Sequence, residues 1–232
     1  MISEKAVLDA LSGVRDPELD EPVTDLGFVN RLEVSGGEVS VGLQLPTYFC
    51  SPNFAYLMVD DARRALLTLP GVENARVSLD DHHASTEINS GVESGRDFDE
   101  SFVGEETSGL DLEEVRETFR RKAFVRRQEM LCRALMTGGT VPEELARMTL
   151  SGLPDSAEVE VYLARRAELG LDLSAESPFL MDPDGNTVPE EAVVEHLKRA
   201  RLTRISVEGN GAFCREILAS RYGTSEASQS VI

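Results

Sequence analysis

The sequence predicts an α+β protein, in which a small helix–hairpin–helix–strand sandwich domain is followed by a mainly helical C-terminal part. Three observations support this fold class. Two alternating apolar runs flank a Ser-Gly-Gly turn, a helically spaced apolar stretch follows them, and a long acidic stretch interrupts the 232-residue chain. We therefore expect a sandwich domain over residues 1–85, an acidic flexible linker over 86–111 and a mainly helical domain over 112–232.

Each element of the first part has its own start and stop signals. Ser3 can cap a short helix that runs through Leu11. Gly36 and Gly37 supply the positive φ angles that a tight hairpin needs, and Pro52 suits the first turn of a helix. The expected elements after the first helix are a strand over 28–34, a strand over 38–45, a helix over 52–68 and a strand over 72–79.

The middle stretch differs in composition from both flanks. Residues 86–111 contain one basic side chain, Arg96, against eight acidic ones, and they are rich in Ser and Gly. Such a composition buries too little apolar surface to offset the entropy of ordering the chain. We expect a mobile linker here, or alternatively a docking segment for a basic partner.

The second part carries helical signals. A rough apolar stripe predicts a helix over 112–136, which Gly138 and Gly139 would end. Thr140 and Thr187 each precede Val-Pro-Glu-Glu, so each is a candidate helix cap with a Glu three residues later. We expect a short strand over 203–207 and a final helix over 212–222.

Charge and composition exclude several function classes. The chain has 23 basic and 42 acidic side chains, a formal charge of −19, which repels phosphate backbones and anionic lipid surfaces. We expect no nucleic-acid partner, no membrane partner and a cytoplasmic location, since no signal peptide or membrane-length apolar run is present. The sequence contains no P-loop, Ser-His-Asp order or H-E-x-x-H motif, so an accessory role is expected rather than an enzyme.

One cysteine has a setting that favours chemistry. Cys50 lies in Pro-Thr-Tyr-Phe-Cys-Ser-Pro, directly before the predicted helix at Pro52. The free N–H groups and dipole of a helix N-terminus favour a thiolate, which can be a metal ligand, a sulfur acceptor or a nucleophile. A bystander thiol is the alternative. A second candidate segment is Asp16-Pro-Glu18, which follows the first helix.

These segments together resemble a known family. The order helix, D-P-E, D-L-G, hairpin, P-T-x-x-C, helix, L-P-G-V, strand over residues 5–80 is similar to the metal–sulfur (iron–sulfur) cluster assembly domain family, which includes the SufT and PaaD proteins. The resemblance implies that Asp16, Glu18 and Thr47 help to bind the cargo and that Cys50 is the metal ligand. It also implies that iron or an iron–sulfur cluster is held transiently. The second part resembles no family that we recognise.

The Cys50 loop departs from the family pattern. The family commonly has three residues between this Thr and Cys, whereas only Tyr48 and Phe49 intervene here. A shorter loop can shift the thiol relative to Asp16 and Glu18.

Two other groups of candidate ligands are expected to have structural roles. Asp80-Asp81-His82-His83 follows the third predicted strand, and we expect a solvated loop there, with a histidine contribution to a Cys50 site as the alternative. For Cys132 and Cys214 we expect substitutions to affect stability more than function.

The resemblance implies an accessory factor that assembles or matures the iron or iron–sulfur centre of a client metalloenzyme. An iron-dependent oxygenase is a candidate client class, because PaaD proteins accompany oxygenase systems. Residues 112–232 would then recognise the client. The alternative is a metal-free chaperone or scaffold protein that keeps the fold without the metal chemistry. The oligomeric state stays open, with a homodimer as one option.

Overall fold

The computed structural model describes residues 2–102 and 111–223 and confirms the predicted α+β class. Its contacts divide the chain into two compact units. Unit 1 comprises Met1–Leu112 together with Asn210–Ile232, and unit 2 comprises Glu113–Gly209. The predicted division near residue 86 is therefore corrected, and residues 210–223 belong to the same unit as the first helix and the sheet.

Unit 1 begins with a capped helix and a small strand pair. Helix α1 (Glu4–Leu11) starts where the sequence predicts, because the Ser3 hydroxyl accepts a hydrogen bond from the Ala6 backbone N–H at 3.1 Å. Two short strands, β1 (Arg15–Asp16) and β2 (Glu21–Pro22), then pair antiparallel. This small ribbon was not predicted, since two-residue strands carry no periodicity.

The main sheet has three strands in the order β3-β4-β5. Strands β3 (Val29–Ser35) and β4 (Glu38–Gln44) form the predicted antiparallel hairpin, and Gly36 adopts a φ of 62° in its turn. Helix α2 (Pro52–Leu67) follows, and β5 (Asn74–Asp80) then pairs parallel with β4 over seven residues. A parallel pair requires a crossover connection, which α2 supplies.

The core of unit 1 lies between the sheet and its helices. In β5, buried Ala75, Val77 and Leu79 alternate with more exposed residues, as expected for a sheet with one covered face, and β4 buries Val39, Val41 and Leu43 at the same period. Helix α2 packs its apolar face against them. The largest fully buried members of this core are Leu11, Leu19, Phe28, Leu43, Leu45, Met58 and Phe102.

The structure corrects the prediction of a linker, because two helices form in this stretch, α3 (Ser85–Ser94) and α4 (Phe98–Ser101). The side-chain amide of Asn89 accepts a hydrogen bond from the Leu79 N–H at 2.7 Å and donates to the Leu79 carbonyl at 3.1 Å. Helix α3 thereby satisfies backbone hydrogen-bonding groups at the exposed edge of β5. Four apolar side chains at i, i+4 spacing are buried in the core: Ile88, Val92, Phe98 and Phe102. The remaining linker residues 103–110 lie outside the described residues.

Unit 2 is built from helices. After α5 (Leu112–Thr137) come α6 (Pro142–Arg147) and α7 (Ala157–Glu168), and the first part of α8 (Val193–Tyr222) completes the unit. The predicted helix over 112–136 is confirmed. The buried apolar residues include Phe124, Leu131, Cys132, Leu145, Tyr162, Phe179, Leu180 and Met181.

The predicted caps in unit 2 differ from the observed ones. Thr140 does not cap α6; instead the Val141 backbone N–H donates to the Glu144 carboxylate at 3.1 Å, and the helix begins at Pro142. At the second copy of the motif, Thr187 leads into a short 3-10 helix over Glu190–Ala192. In the first copy, the proline at the first helical position thus sets the boundary rather than the threonine.

An arginine lies at the centre of unit 2. Arg166 is fully buried, and its guanidinium donates to the Tyr162 hydroxyl at 3.0 Å and to the Ser177 hydroxyl at 2.6 Å. It also donates to the carbonyls of Asp172 at 2.7 Å and Pro178 at 3.0 Å. A buried charge of this kind is tolerated because each of the three guanidinium nitrogens has a hydrogen-bond acceptor.

The predicted strand over 203–207 is wrong, because these residues are part of α8, which continues from Val193 to Tyr222 without a break. Arg204 explains the helix: it pairs with Glu208 one turn later at 2.6 Å and with buried Glu129 at 2.6 Å. The helix passes through Gly209 and Gly211, and from Asn210 onward it belongs to unit 1. Within the described residues, no helix has both the length and the apolar composition to cross a membrane.

The packing of α4 generates a prediction about stability. Phe98 is buried, with its ring centroid 5.5 Å from that of Tyr56 and 4.6 Å from that of Phe102. We expect Phe98→Ala to lower the free energy of unfolding by about 3–5 kcal/mol, because it leaves a cavity in the core. Urea unfolding measures this change.

The matched control for that experiment is Phe49→Ala in the same unit, since the Phe49 side chain is exposed. The control variant should stay within about 0.5 kcal/mol of the parent. If Phe98→Ala were equally neutral, α4 would not be part of the core of unit 1.

Candidate functional site

The loop between β4 and α2 holds Cys50 at the start of the helix. Cys50 is partly buried, directly before Ser51 at the cap position and Pro52 at the first helical position. Its Sγ lies 3.3 Å from the Thr47 hydroxyl oxygen, and its backbone N–H donates to the Thr47 carbonyl at 3.4 Å. The structure thus places the thiol before a helix N-terminus, as predicted, and in contact with Thr47.

His82 supports this loop from the end of β5. Its Nδ1 accepts a hydrogen bond from the Ala84 N–H at 3.1 Å, so Nε2 carries the proton and donates to the Cys50 carbonyl at 2.8 Å. The side chain is 3% exposed, and burial lowers the pKa of His82, which keeps the ring neutral. The expected solvated loop is therefore corrected: His82 is a buried support of the Cys50 loop.

The two aromatic residues of the shortened loop lie on the surface beside the thiol. Phe49 is 77% exposed, and its ring lies 5.0 Å from the Tyr48 ring and 5.7 Å from the His83 ring, measured between centroids. The His83 N–H donates to the Tyr48 carbonyl at 3.0 Å, which fixes the loop from a second point. An exposed aromatic group of this kind is typical of contact surfaces.

Asp16 is the acidic residue of the site that burial affects most. It is 9% exposed, and its Oδ1 accepts hydrogen bonds from the backbone N–H groups of Glu18 at 2.8 Å and Leu19 at 2.9 Å. Burial raises the pKa of Asp16 to about 6, with smaller contributions from Glu18 and Glu21 in the same direction, while the two backbone hydrogen bonds oppose the rise. These hydrogen bonds hold Asp16 and Glu18 in the same turn.

The last thirteen residues of α8 contact both candidate loops. The Asn210 side-chain amide donates to the Glu18 carboxylate at 3.1 Å, and the Arg221 guanidinium donates to the Pro46 carbonyl at 3.0 Å. Further pairs are Arg215 with Glu21 at 2.6 Å and Arg221 with Asp81 at 2.7 Å. We call this part of the helix, residues 210–222, the C-terminal segment.

The C-terminal segment brings a second thiol to the site. Cys214 is partly buried and packs against the core of unit 1. Burial raises its pKa to about 11, and the negative charges of Asp16, a Cys50 thiolate and Glu18 add to the rise in that order. Three of the four predicted site residues, namely Asp16, Glu18 and Cys50, are therefore close enough for their charges to act on Cys214. No local sequence signal indicates this role for Cys214, because the role depends on the tertiary packing that brings the end of α8 back to unit 1.

The described residues do not complete a metal centre. Across residues 2–102 and 111–223, no group of three or more His, Cys, Asp or Glu side chains is arranged to hold a metal ion. Cys132, the remaining cysteine, is buried in unit 2 and its pKa is raised by burial, as expected of a core residue.

This architecture defines a class: a small α+β domain that presents a cysteine between a strand and the crossover helix of a parallel pair. The profile of a family described as iron–sulfur cluster assembly protein matches residues 4–79. The chain belongs to the iron–sulfur cluster assembly family through this domain. The match ends before α3, so unit 2 lies outside it.

Curated relatives agree with this domain. An iron–sulfur cluster carrier protein of Synechocystis is 37% identical over 79 residues, which cover 34% of this chain and 22% of the relative. A carrier protein of Deinococcus radiodurans is 40% identical over 74 residues, covering 32% and 21%. An uncharacterized protein of Methanocaldococcus jannaschii is 30% identical over 90 residues, covering 38% and 93%. The chain thus spans about a fifth of the length of the carrier proteins, and no solved structure matches it.

The raised pKa of Asp16 predicts a pH dependence of stability in the metal-free protein. Between its ordinary value of 3.8 and about 6, folded Asp16 keeps a proton that the unfolded chain has released. The free energy of unfolding should therefore fall as pH rises through this window, by up to about 3 kcal/mol from this residue. Urea unfolding across about pH 4 to 7 measures the slope.

The variant for this test is Asp16→Asn, which keeps an oxygen for the two backbone N–H groups but cannot ionise. Its stability should fall less across the same window than that of the parent. Superimposable pH profiles for the two proteins would contradict a raised pKa at Asp16.

Proposed function

We propose that this protein handles iron–sulfur cargo at a site centred on Cys50. The observation that carries the proposal is the fixed Cys50 thiol at the start of α2, in the domain that belongs to the iron–sulfur cluster assembly family. The carrier proteins among the relatives support a role in cluster handling. Iron–sulfur clusters are bound mainly through cysteine thiolates, and Cys50 supplies one thiol.

The surroundings of Cys50 suit a thiolate ligand. A helix N-terminus stabilises a negative charge by about 0.3–1 kcal/mol. The Thr47 hydroxyl, 3.3 Å from the sulfur, can donate a hydrogen bond to the thiolate, and such bonds tune bound clusters. His82 holds the Cys50 carbonyl and so fixes the direction of the loop. Asp16 and Glu18 would help to bind a cationic cargo.

We propose that the protein is an accessory factor rather than an enzyme. It would assemble or mature the iron or iron–sulfur centre of a client metalloenzyme. Its resemblance to PaaD proteins supports an iron-dependent oxygenase as the client class. Unit 2 would recognise the client, since it is a separate helical unit outside the residues that match the family. A site that delivers its cargo to a client would hold the cluster only transiently.

A metal-free scaffold or chaperone is the second candidate function, and the exposed Phe49 favours it. This aromatic side chain lies next to Cys50 and is more exposed than any other large apolar side chain in the described residues. Exposed aromatic residues frequently anchor protein interfaces. In a scaffold, client binding would depend on Phe49 and not on Cys50.

The proposed function predicts the effect of Cys50→Ser. We expect the parent, purified without oxygen and reconstituted with iron and sulfide, to contain iron and acid-labile sulfide and to load an apo-ferredoxin recipient. Cys50→Ser should lose both properties, because a hydroxyl is a poor ligand for an iron–sulfur cluster. Its free energy of unfolding should change by less than about 1 kcal/mol, since Cys50 is only partly buried.

The matched control is Cys132→Ala, which removes a thiol from unit 2 and should leave cluster content unchanged. If Cys50→Ser retained full iron and sulfide content, Cys50 would not be the ligand and the scaffold function would be favoured. A Phe49→Ala variant that loses client binding while it keeps its cluster would separate docking from cargo handling.

A further inference from the structure

One face of the C-terminal segment contacts the rest of unit 1, from Asn210 to Arg221. Asn210, Cys214, Leu218 and Arg221 are spaced at i, i+4, i+8 and i+11, so they lie on one side of the helix. Leu218 packs against the core, with its Cδ2 3.6 Å from the position that a Cβ on Gly27 would take. Cys214 therefore lies on the inner face of the segment.

Hydrogen bonds at the two ends of this face show where Cys214 lies. Asn210, one turn before Cys214, binds Glu18 in the Asp16 turn, and Arg221, two turns after it, binds the carbonyl of Pro46 at the start of the Cys50 loop. Cys214 thus lies between the points where the helix touches the two loops. Both partly buried thiols, Cys50 and Cys214, pack against the same core.

We infer that Cys214 is a second sulfur ligand of the Cys50 site and that the two cysteines hold the cargo as a pair. This inference rests on the proposed function and extends it, because Cys214 lies far outside the family match over residues 4–79. The expected ligand is a thiophilic divalent metal ion or an iron–sulfur cluster. Binding to two thiols releases their two protons to solvent as two metal–sulfur bonds form.

The charges around the pair favour a cation. Glu18 accepts a hydrogen bond from Asn210, one helical turn before Cys214, and Asp16 lies in the same turn as Glu18, so a pair of thiolates would be repelled by these carboxylates. A bound cation converts this mutual repulsion into attraction. Two thiolates fill only part of the coordination of a tetrahedral metal, so the remaining positions are open to sulfide and to the protein that receives the cargo.

The test is a titration of the full-length, metal-free protein with Co²⁺, followed by thiolate-to-cobalt charge-transfer absorption. The parent should show the absorption of two thiolates for each bound ion. Cys50→Ser and Cys214→Ser should each show about half that intensity for each bound ion. Each should also bind at least about tenfold more weakly, since even the outer-shell partners of metal ligands typically contribute tenfold or more to affinity. Cys132→Ala is the control and should match the parent.

Two results would overturn the inference. If Cys214→Ser matched the parent while Cys50→Ser lost binding, Cys214 would not be a ligand and the proposed function would stand without it. If both variants matched the parent, the inference and the proposed Cys50 site would fail together. Circular dichroism of each variant checks that it folds.

A second variant leaves both thiols in place. Arg221→Ala removes the contact of the segment with the Pro46 carbonyl and with Asp81. It should weaken Co²⁺ binding while alkylation of the unfolded protein still counts three thiols. Unchanged affinity in this variant would contradict the role of the C-terminal segment in positioning Cys214.

Discussion

The parallel pairing of β4 with β5 determines where the candidate site lies. Seven residue pairs, from Glu38 with Asn74 to Gln44 with Asp80, align the two strands so that both end at the same edge of the sheet. The loop that carries Cys50 leaves β4 at that edge, and His82 follows β5 there. Their hydrogen bond at 2.8 Å is a direct consequence of this register. Ligand sites in sheets with parallel strands commonly lie beyond the carboxyl ends of the strands, for the same reason.

The second determinant is the return of the chain end to unit 1. The C-terminal segment joins the Asp16 turn to the Cys50 loop through polar contacts at its two ends, with Cys214 and Leu218 against the core between them. The family domain is thus completed by residues more than a hundred positions away in sequence. Under the inference drawn above, cargo would be held by one thiol of the family domain and one thiol outside the family match.

Local signals predicted the hairpin, the crossover helix and the position of Cys50, because a turn glycine, a proline at a helix start and strand alternation act over a few residues. The linker prediction failed because acidic composition outweighed the i, i+4 spacing of Ile88 with Val92 and of Phe98 with Phe102, which a core can bury. The strand predicted over 203–207 failed because ion pairs at helical spacing and packing in unit 2 override β-propensity. Local sequence signals could not predict that Cys214 lies near the Cys50 site, since tertiary packing determines its neighbours.

The proposed function requires cargo to bind at Cys50. Anomalous diffraction at the iron edge, from crystals of the anaerobically loaded protein, tests it most directly. We expect iron density bonded to the Sγ of Cys50 within unit 1. Iron bound elsewhere, such as among the side chains around Cys132 in unit 2, with the Cys50 thiol free, would contradict it.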